Sequence, residues 1–212
     1  MTAECFLESQ RAVRVSDGLI FAFGTDVSDE IRDAVTLTSW AAEAHAAHAG
    51  VSIDGRPDDW LDTCEKTLSK LGWVTVERAW QTEYEVPDET QEGAARRILR
   101  QALGDHPLVR GLTGKLQALD DWPHRPRWVG LVEADANGSP LLTSILLVAL
   151  PPEARESPAP ALLPEVQAAQ APARHAFRLA IWVARLNMLM FESVRPVLLR
   201  RYRELEDAAN RR

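Results

Sequence analysis

The chain has 212 residues, a net charge of −7, and ordinary apolar and charged fractions of 46% and 26%. This length is enough for one compact domain with a hydrophobic core, and the acidic balance argues against nucleic acid as a partner. The longest uncharged apolar run, at 141–150, has ten residues and is too short to span a bilayer as a helix.

The two cysteines, Cys5 and Cys64, cannot form a disulfide framework, so we expect a reducing compartment. The first residues carry acidic side chains and lack the central apolar stretch of a secretory signal peptide. The default prediction is therefore a cytoplasmic protein, and any export would follow a signal-independent route.

The sequence predicts a flexible segment over residues 1–15, followed by a single α+β domain over residues 16–212. The run LIFAF at 19–23 is short, apolar and aromatic, which is typical of a buried strand. Ser28 then precedes two acidic residues, which predicts a capped helix that ends near Gly50.

A second helix is predicted between Pro57 and Gly72, which suit a helix start and stop. Its apolar residues are spaced one, three and four apart and share one face: Trp60, Leu61, Cys64, Leu68 and Leu71. Cys64 should therefore point into the core, where a thiol has a raised pKa and is inert. The alternative is a thiol that faces an apolar cavity and carries an acyl chain.

The stretch WVTVERAWQTEYEV at 73–86 predicts a strand of about a dozen residues. Alternation places Trp73 and Thr75 on one face with Glu77 and Ala79, and Arg78 on the other with Val74, Val76 and Trp80. Helices are predicted from about 89 to 103 and from 107 to about 119, with Gly104 ending the first.

Two strand-like runs over 128–150 flank Asn137-Gly138, the strongest short signal for a hairpin. Residues 151–173 hold six prolines and predict a solvent-facing loop. We predict a strand over 176–191, with a bulge after Val183, and then a helix capped by Ser193 with Pro196 in its first turn. The alternative is one helix over 175–207, with Pro196 in its interior.

These elements predict the fold class: an α+β domain with an antiparallel sheet, formed mainly by the hairpin and the 176–191 strand, packed by several helices. Most of the seven tryptophans should lie in its core, because each has too much apolar surface to leave wet.

The sequence contains no catalytic constellation, and we predict no cofactor. His45 and His48 lie one helical turn apart but lack a third metal ligand at a matching spacing. The stretch GLTGK at 111–115 departs from a phosphate-binding loop, because Val109 replaces the first glycine and Leu116 replaces the Ser or Thr.

The charge is uneven along the chain. Residues 174–212 hold nine arginines against four acidic residues, a net +5, which leaves −12 for residues 1–173. The final helix is amphipathic and predicts an interface or a membrane-facing surface, formed by Val194, Val197, Leu198, Arg200 and Arg203. The alternative is that this basic helix docks on the acidic part of its own chain.

Residues 33–80 carry a recognisable arrangement. A small-residue helix, DAVTLTSWAAEAHAA, leads through a linker to WLDTCEKTLSKLGWVTVERAW, in which a tryptophan opens a helix and Gly-Trp-Val enters a strand. This arrangement resembles the virulence-factor family named after the Erwinia virulence factor. The resemblance implies a bacterial, non-enzymatic α/β protein that acts on hosts or membranes, with a buried cysteine carrying a fatty acyl chain. That cysteine lies in the family's C-terminal half, where this chain has none, so only the fold implication transfers.

The leading hypothesis is a non-catalytic interaction protein with an unidentified protein partner, of the virulence-effector type or a component of a bacterial secreted or injected assembly. The first alternative is a lipid-associated or S-acylated protein at a membrane surface, acting through Cys64 or an apolar cavity. The second is a hydrolase or transferase whose His, Asp and Cys or Ser side chains converge in one cleft.

Overall fold

The computed structural model describes residues 12–14, 19–84, 90–104, 107–117, 119, 125–135, 138–150 and 176–209. The strands are β1 (Ala12–Arg14), β2 (Leu19–Phe23), β3 (Trp73–Tyr84), β4 (Arg127–Ala134), β5 (Pro140–Leu150) and β6 (Ala176–Leu186). The helices are α1 (Asp29–His48), α2 (Pro57–Lys70), α3 (Gln91–Leu103), α4 (Pro107–Gln117) and α5 (Met188–Ala209). The predicted α+β fold of a single domain is confirmed.

The described strands form one sheet in the order β1-β2-β4-β5-β6-β3. Only the β2–β4 pair is parallel, and every other neighbouring pair is antiparallel. The predicted hairpin forms β4 and β5, and β5 occupies the interior of the sheet as its unbroken apolar run predicts. The long strand β3 lies at one edge and pairs with β6 alone.

Each face of the sheet buries its own core. One face, here the tryptophan face, packs against α1, α2 and α5, and includes Trp73, Trp128 and Trp182. The other, here the aliphatic face, packs against α3 and α4 and is formed by Ile20, Ala22, Val129, Leu131, Ile145, Leu147, Phe177 and Leu179. Strand residues alternate between these two cores because successive side chains point to opposite sides of a sheet.

Local signals in the sequence position several elements. The Ser28 hydroxyl accepts a hydrogen bond from the Ile31 amide at 3.3 Å, which caps α1 as predicted. Pro57 opens α2, and Gly72 follows its end with φ +103°, a conformation that favours glycine. Gly138, with φ +73°, closes the turn between β4 and β5 through its amide and the Asp135 carbonyl, at 2.8 Å.

The boundary between β6 and α5 was predicted incorrectly. The strand ends at Leu186 rather than at 191, and the helix begins at Met188. Asn187 precedes the helix and caps it, because its Oδ1 accepts from the Met190 amide at 3.2 Å while its own amide donates to the Gly72 carbonyl at 2.8 Å. Ser193 therefore lies within the helix and is not its cap.

Pro196 consequently lies in the helix interior and not in the first turn. An interior proline loses one backbone hydrogen bond and costs about 3 kcal/mol relative to alanine. Burial of Phe191, which is fully enclosed, and of Leu198 and Leu199 against the core helps to offset this cost.

The predicted bulge after Val183 was also wrong, because β6 pairs with β5 in an unbroken register. The irregularity lies in β3, between Thr75 and Glu77. The extra residue, Val76, moves Arg78 onto the face that carries Trp73 and Thr75, because a bulge reverses the alternation beyond it. The predicted faces of β3 are thus correct only before Val76.

Two predicted segments fall mainly beyond the described residues. The Pro-rich loop at 151–173 lies outside them, and so do residues 1–11 and 15 of the predicted flexible N-terminus. Residues 12–14 form β1, which pairs with β2.

Candidate functional site

Cys64 lies in the tryptophan-face core, fully buried within α2 as its helical spacing predicts. Burial raises the pKa of its thiol far above the usual range, and the charges of Glu43 and Glu65 raise it further. A neutral, enclosed thiol is a poor nucleophile, so this environment does not favour acylation. The acyl-site hypothesis stays a prediction, which intact-mass spectrometry tests, because an unmodified chain has a mass of 23.6 kDa.

Tryptophans form a continuous row through this core. Trp128 stands edge-on to Trp60, with ring centroids 5.6 Å apart, and Trp182 follows at 5.7 Å from Trp128 and 6.1 Å from Trp73. Three of the indole N–H groups are satisfied: Trp73 donates to Thr38, Trp128 to Ser144 and Trp182 to Thr75, at 2.9–3.0 Å. All four indoles are buried and therefore stabilise the core.

One charged cluster bridges α2 and the edge strand β3. The guanidinium of Arg78 contacts the carboxylates of Asp62 and Glu65, the latter at 3.2 Å. Desolvation by burial raises the pKa of Glu65 to about 6; Arg78 opposes this rise and Asp62 adds to it. These ion pairs link α2 to the edge strand β3.

The sequence features considered for metal binding and for phosphate binding form neither kind of site within the described residues. His45 and His48 are exposed in the last turn of α1, and GLTGK at 111–115 lies within α4. Within the described part of the chain, no group of three or more His, Cys, Asp or Glu side chains is arranged to hold a metal ion.

The predicted interface residues of α5 divide between its two sides. Leu198 packs against the tryptophan-face core, and Val194 is half-buried. Val197 is 58% exposed, and Arg200 and Arg203 are also exposed. The neighbouring Tyr202 packs edge-on against Trp40 with ring centroids 5.0 Å apart, which fixes the side of the helix that faces the domain.

Sequence reasoning missed a groove on the aliphatic face. It encloses about 470 Å³ between α3 and the strands β3, β5 and β6. Its lining is aliphatic and amide-rich, with a single carboxylate: Glu77, Gln81, Ile98, Gln101, Ala102, Thr143, Ile181 and Val183. We call it the α3 groove.

The α3 groove exists because the helices cover only part of this face. Phe177 and Leu179 of β6 are buried against the α3 and α4 side, whereas Ile181 and Val183, further along the same strand, are only half-buried. Val74 shares this face with Val183 by strand register and is 57% exposed. The uncovered area therefore extends from the groove to the sheet edge.

The groove lies beside the outer edge of β3, which no other described strand pairs. β3 is the last strand of the described sheet, so alternate backbone N–H and C=O groups along its outer edge face away from β6. The only sequence signal for this surface was the polar side chains of Glu77 and Gln81 in an otherwise strand-like run. Those residues pair with Val183 and Leu179 of β6, which are distant in sequence.

No family model, curated protein or solved structure matches this chain. The resemblance of residues 33–80 to the Erwinia virulence factor family therefore stays a prediction.

Proposed function

We propose that this protein is a non-catalytic interaction protein that binds a segment of a partner protein in the α3 groove. The observation that carries the proposal is the incomplete cover that the described helices give the aliphatic face, where Ile181 and Val183 are half-buried beside a strand edge that no other described strand pairs. Apolar residues left open to solvent within a concave surface favour association with a second molecule.

The lining suits an extended peptide better than a reacting substrate. Ile181 and Val183 offer aliphatic contact, while Gln81 and Gln101 offer amide groups at the rim. The outer edge of β3 can add backbone hydrogen bonds, as in complexes in which a peptide extends a sheet. The bulge at Val76 interrupts the ladder, so the regular segment from Glu77 onward is the better template.

A photo-crosslinking side chain placed at Gln101 or at Gln81 in the full-length chain tests this proposal in the cells of origin. The matched control is the same side chain at Lys66, which is exposed on α2, the helix that packs against the opposite face. We expect both groove positions to give an adduct with the same protein, identified by mass spectrometry, and the control to give none.

A second variant tests whether the adduct forms in the groove itself. Val183→Arg should abolish both groove adducts, and circular dichroism should show that the variant remains folded. Adducts that persist in the folded variant, or that also form from Lys66, would contradict the proposal, as would their absence from wild-type cells. The effector or secreted-assembly hypothesis stays a prediction; the identity of the adduct would test it.

A further inference from the structure

The regular part of β3 presents a short pattern of side chains toward the α3 groove. Beyond the bulge at Val76, alternation places Glu77, Ala79 and Gln81 on the aliphatic face, and the first and last of these line the groove. Ala79 is half-buried and pairs with Ile181 of β6. Because the side chain of Ala79 is a single methyl group, it covers little of Ile181.

The charge of this pattern belongs to Glu77, the single carboxylate of the groove lining. Glu77 is exposed and has no ion-pair partner among the described residues. Two cations on the same side of the sheet are already engaged. Arg97, one helical turn before Gln101, donates to it at 3.2 Å and has a further interaction within the chain. Arg185 of β6 pairs with Asp135 at 3.0 Å. The strand side of the groove therefore carries an uncompensated negative charge.

We propose that the segment bound in the α3 groove pairs with β3 as an added strand and carries a Lys or Arg opposite Glu77 and a large apolar residue opposite Ala79. This inference rests on the proposed function and names the chemistry of its partner. Residues directly opposite one another on adjacent strands have Cβ atoms about 4.5–5.5 Å apart, and residues two positions apart share a face. The two partner residues are therefore separated by one residue, whichever direction the added strand runs.

Cross-strand pairing makes Glu77 the residue that selects the charge of the partner. Opposite charges that face each other on adjacent strands are stabilising, and like charges are destabilising. A charged side chain on an edge strand also discourages pairing with unsuitable strands. An acidic segment is therefore rejected, and so is a second copy of the chain that places its own Glu77 opposite this one.

The apolar position of the partner follows from Ala79. A Leu, Phe or Trp opposite Ala79 lies over a single methyl group, so it can extend toward Ile181. It would bury apolar surface that the described helices leave half-buried, which favours binding. Gln81, the third residue of the pattern, offers both a donor and an acceptor and suits a polar partner residue.

A peptide fits this surface better than a lipid does. An acyl chain could cover Ile181 and Val183, but it has no groups to pair with the backbone N–H and C=O groups of the β3 edge. An anionic headgroup would be repelled by Glu77. None of the described helices is long and apolar enough to cross a bilayer.

Selection of a random peptide library, displayed on phage, against the full-length protein tests the inference. We expect enriched sequences with a Lys or Arg two positions from a large apolar residue. Fluorescence anisotropy then compares an enriched peptide with a version that has glutamate in place of the cation. Glu77→Lys should weaken binding of the cationic peptide about threefold to tenfold and strengthen binding of the glutamate version, because the facing charges are reversed.

Two further variants control this experiment. Glu30→Lys, at an exposed position in the first turn of α1, gives the same change in net charge and should leave both affinities unchanged. Against Ala79→Leu, selection should enrich a smaller residue at the apolar position, because the leucine side chain occupies that space. Circular dichroism checks that each variant is folded.

The possible outcomes separate this inference from the proposed function. The inference is overturned if the library yields no binder, if Glu30→Lys acts like Glu77→Lys, or if Glu77→Lys leaves the preference for the cationic peptide unchanged. Peptide binding that Val183→Arg abolishes and Glu77→Lys does not alter would overturn only the assigned chemistry. Binding that persists in the folded Val183→Arg variant would contradict the groove itself as the site. A dimer in light scattering that Val183→Arg dissociates, without enriched peptides, would assign the groove to a second copy.

Discussion

The two faces of one strand, β6, show how differently the two sides of this sheet are used. Ala180, Trp182, Ala184 and Leu186 point to the tryptophan face, and each is at most 1% exposed. Between them, Ile181 and Val183 are half-buried and Arg185 is exposed. Adjacent residues of the same strand thus belong to a closed core on one side and to an open groove on the other.

The difference follows from which helices lie over each half of the sheet. Three helices, α1, α2 and α5, contribute to the tryptophan-face core, and ion pairs of Arg78 link α2 to the edge strand β3. The aliphatic face has α3 and α4, whose side chains pack on β2, β4, β5 and the first residues of β6. Stability should therefore depend on the tryptophan face, and binding on the open part of the aliphatic face.

Truncating neighbouring residues of β6 should give the largest contrast. Trp182→Ala removes a buried indole that contacts two other tryptophans and donates to Thr75, and should cost about 3–5 kcal/mol of unfolding free energy. Val183→Ala, on the half-buried side, should cost about 1 kcal/mol or less. Denaturation in urea measures both. Similar losses would show that the two faces are equally closed.

The next contrast uses one substitution at two glycines. A Cβ at Gly130 would lie 2.7 Å from Phe21 Cδ1 and 2.8 Å from Leu142 Cδ1, so Gly130→Ala should cost about 1–3 kcal/mol by overpacking. Gly114 of α4 is exposed with no atom near such a Cβ, and Gly114→Ala should stabilise the helix by about 0.5–1 kcal/mol. Thermal unfolding that shifts in the same direction for both would contradict this packing.

The closed face was largely predictable because its signals are local. The spacing of Trp60, Cys64 and Leu68 gives the buried side of α2, Ser28 gives the start of α1, and Gly138 gives the hairpin. Each depends on residues within one or two turns of one another, so periodicity and capping chemistry are sufficient.

The open face could not be predicted because it depends on contacts between distant segments. Nothing in WVTVERAW marks Val76 as the bulged residue; its position emerges only from pairing with β6, about a hundred residues later. The start of α5 at Asn187 likewise depends on a hydrogen bond to Gly72. The α3 groove depends on the β3–β6 pairing, because Glu77 and Gln81 meet Val183 and Leu179 only through this register, and no local pattern encodes it.

Titration of Glu65 tests whether the cost of burying its carboxylate outweighs its ion pair with Arg78. The raised pKa, about 6, means that between its usual value of 4.5 and about 6 the folded chain binds more protons than the unfolded chain. The free energy of unfolding should therefore fall as pH rises through this window. Glu65→Gln should remove that fall and gain about 1 kcal/mol at pH ~7.5, allowing for partial solvent screening, and little at pH ~4.5.

The control for this titration is Glu30→Gln, at an exposed position in the first turn of α1. Loss of a favourable charge near a helix N-terminus should lower stability, by about 0.5 kcal/mol or less. The two variants should thus shift stability in opposite directions near neutral pH. Denaturant unfolding at both pH values measures this, and a loss of stability in Glu65→Gln would mean that its pairing with Arg78 outweighs desolvation.

The smallest expected effect compares one polar substitution on the two faces. Val74 is 57% exposed on the open side, so Val74→Thr should change the unfolding free energy by about 0.5 kcal/mol or less, because threonine suits a strand equally well. Val132 is fully buried on the tryptophan face, where Val132→Thr should cost about 1–3 kcal/mol by enclosing a hydroxyl. A comparable loss from Val74→Thr in urea denaturation would mean that other parts of the chain cover the sheet edge. A negligible loss would mean that the stability of the fold does not depend on the apolar surface of this edge. The edge would then be available to a partner.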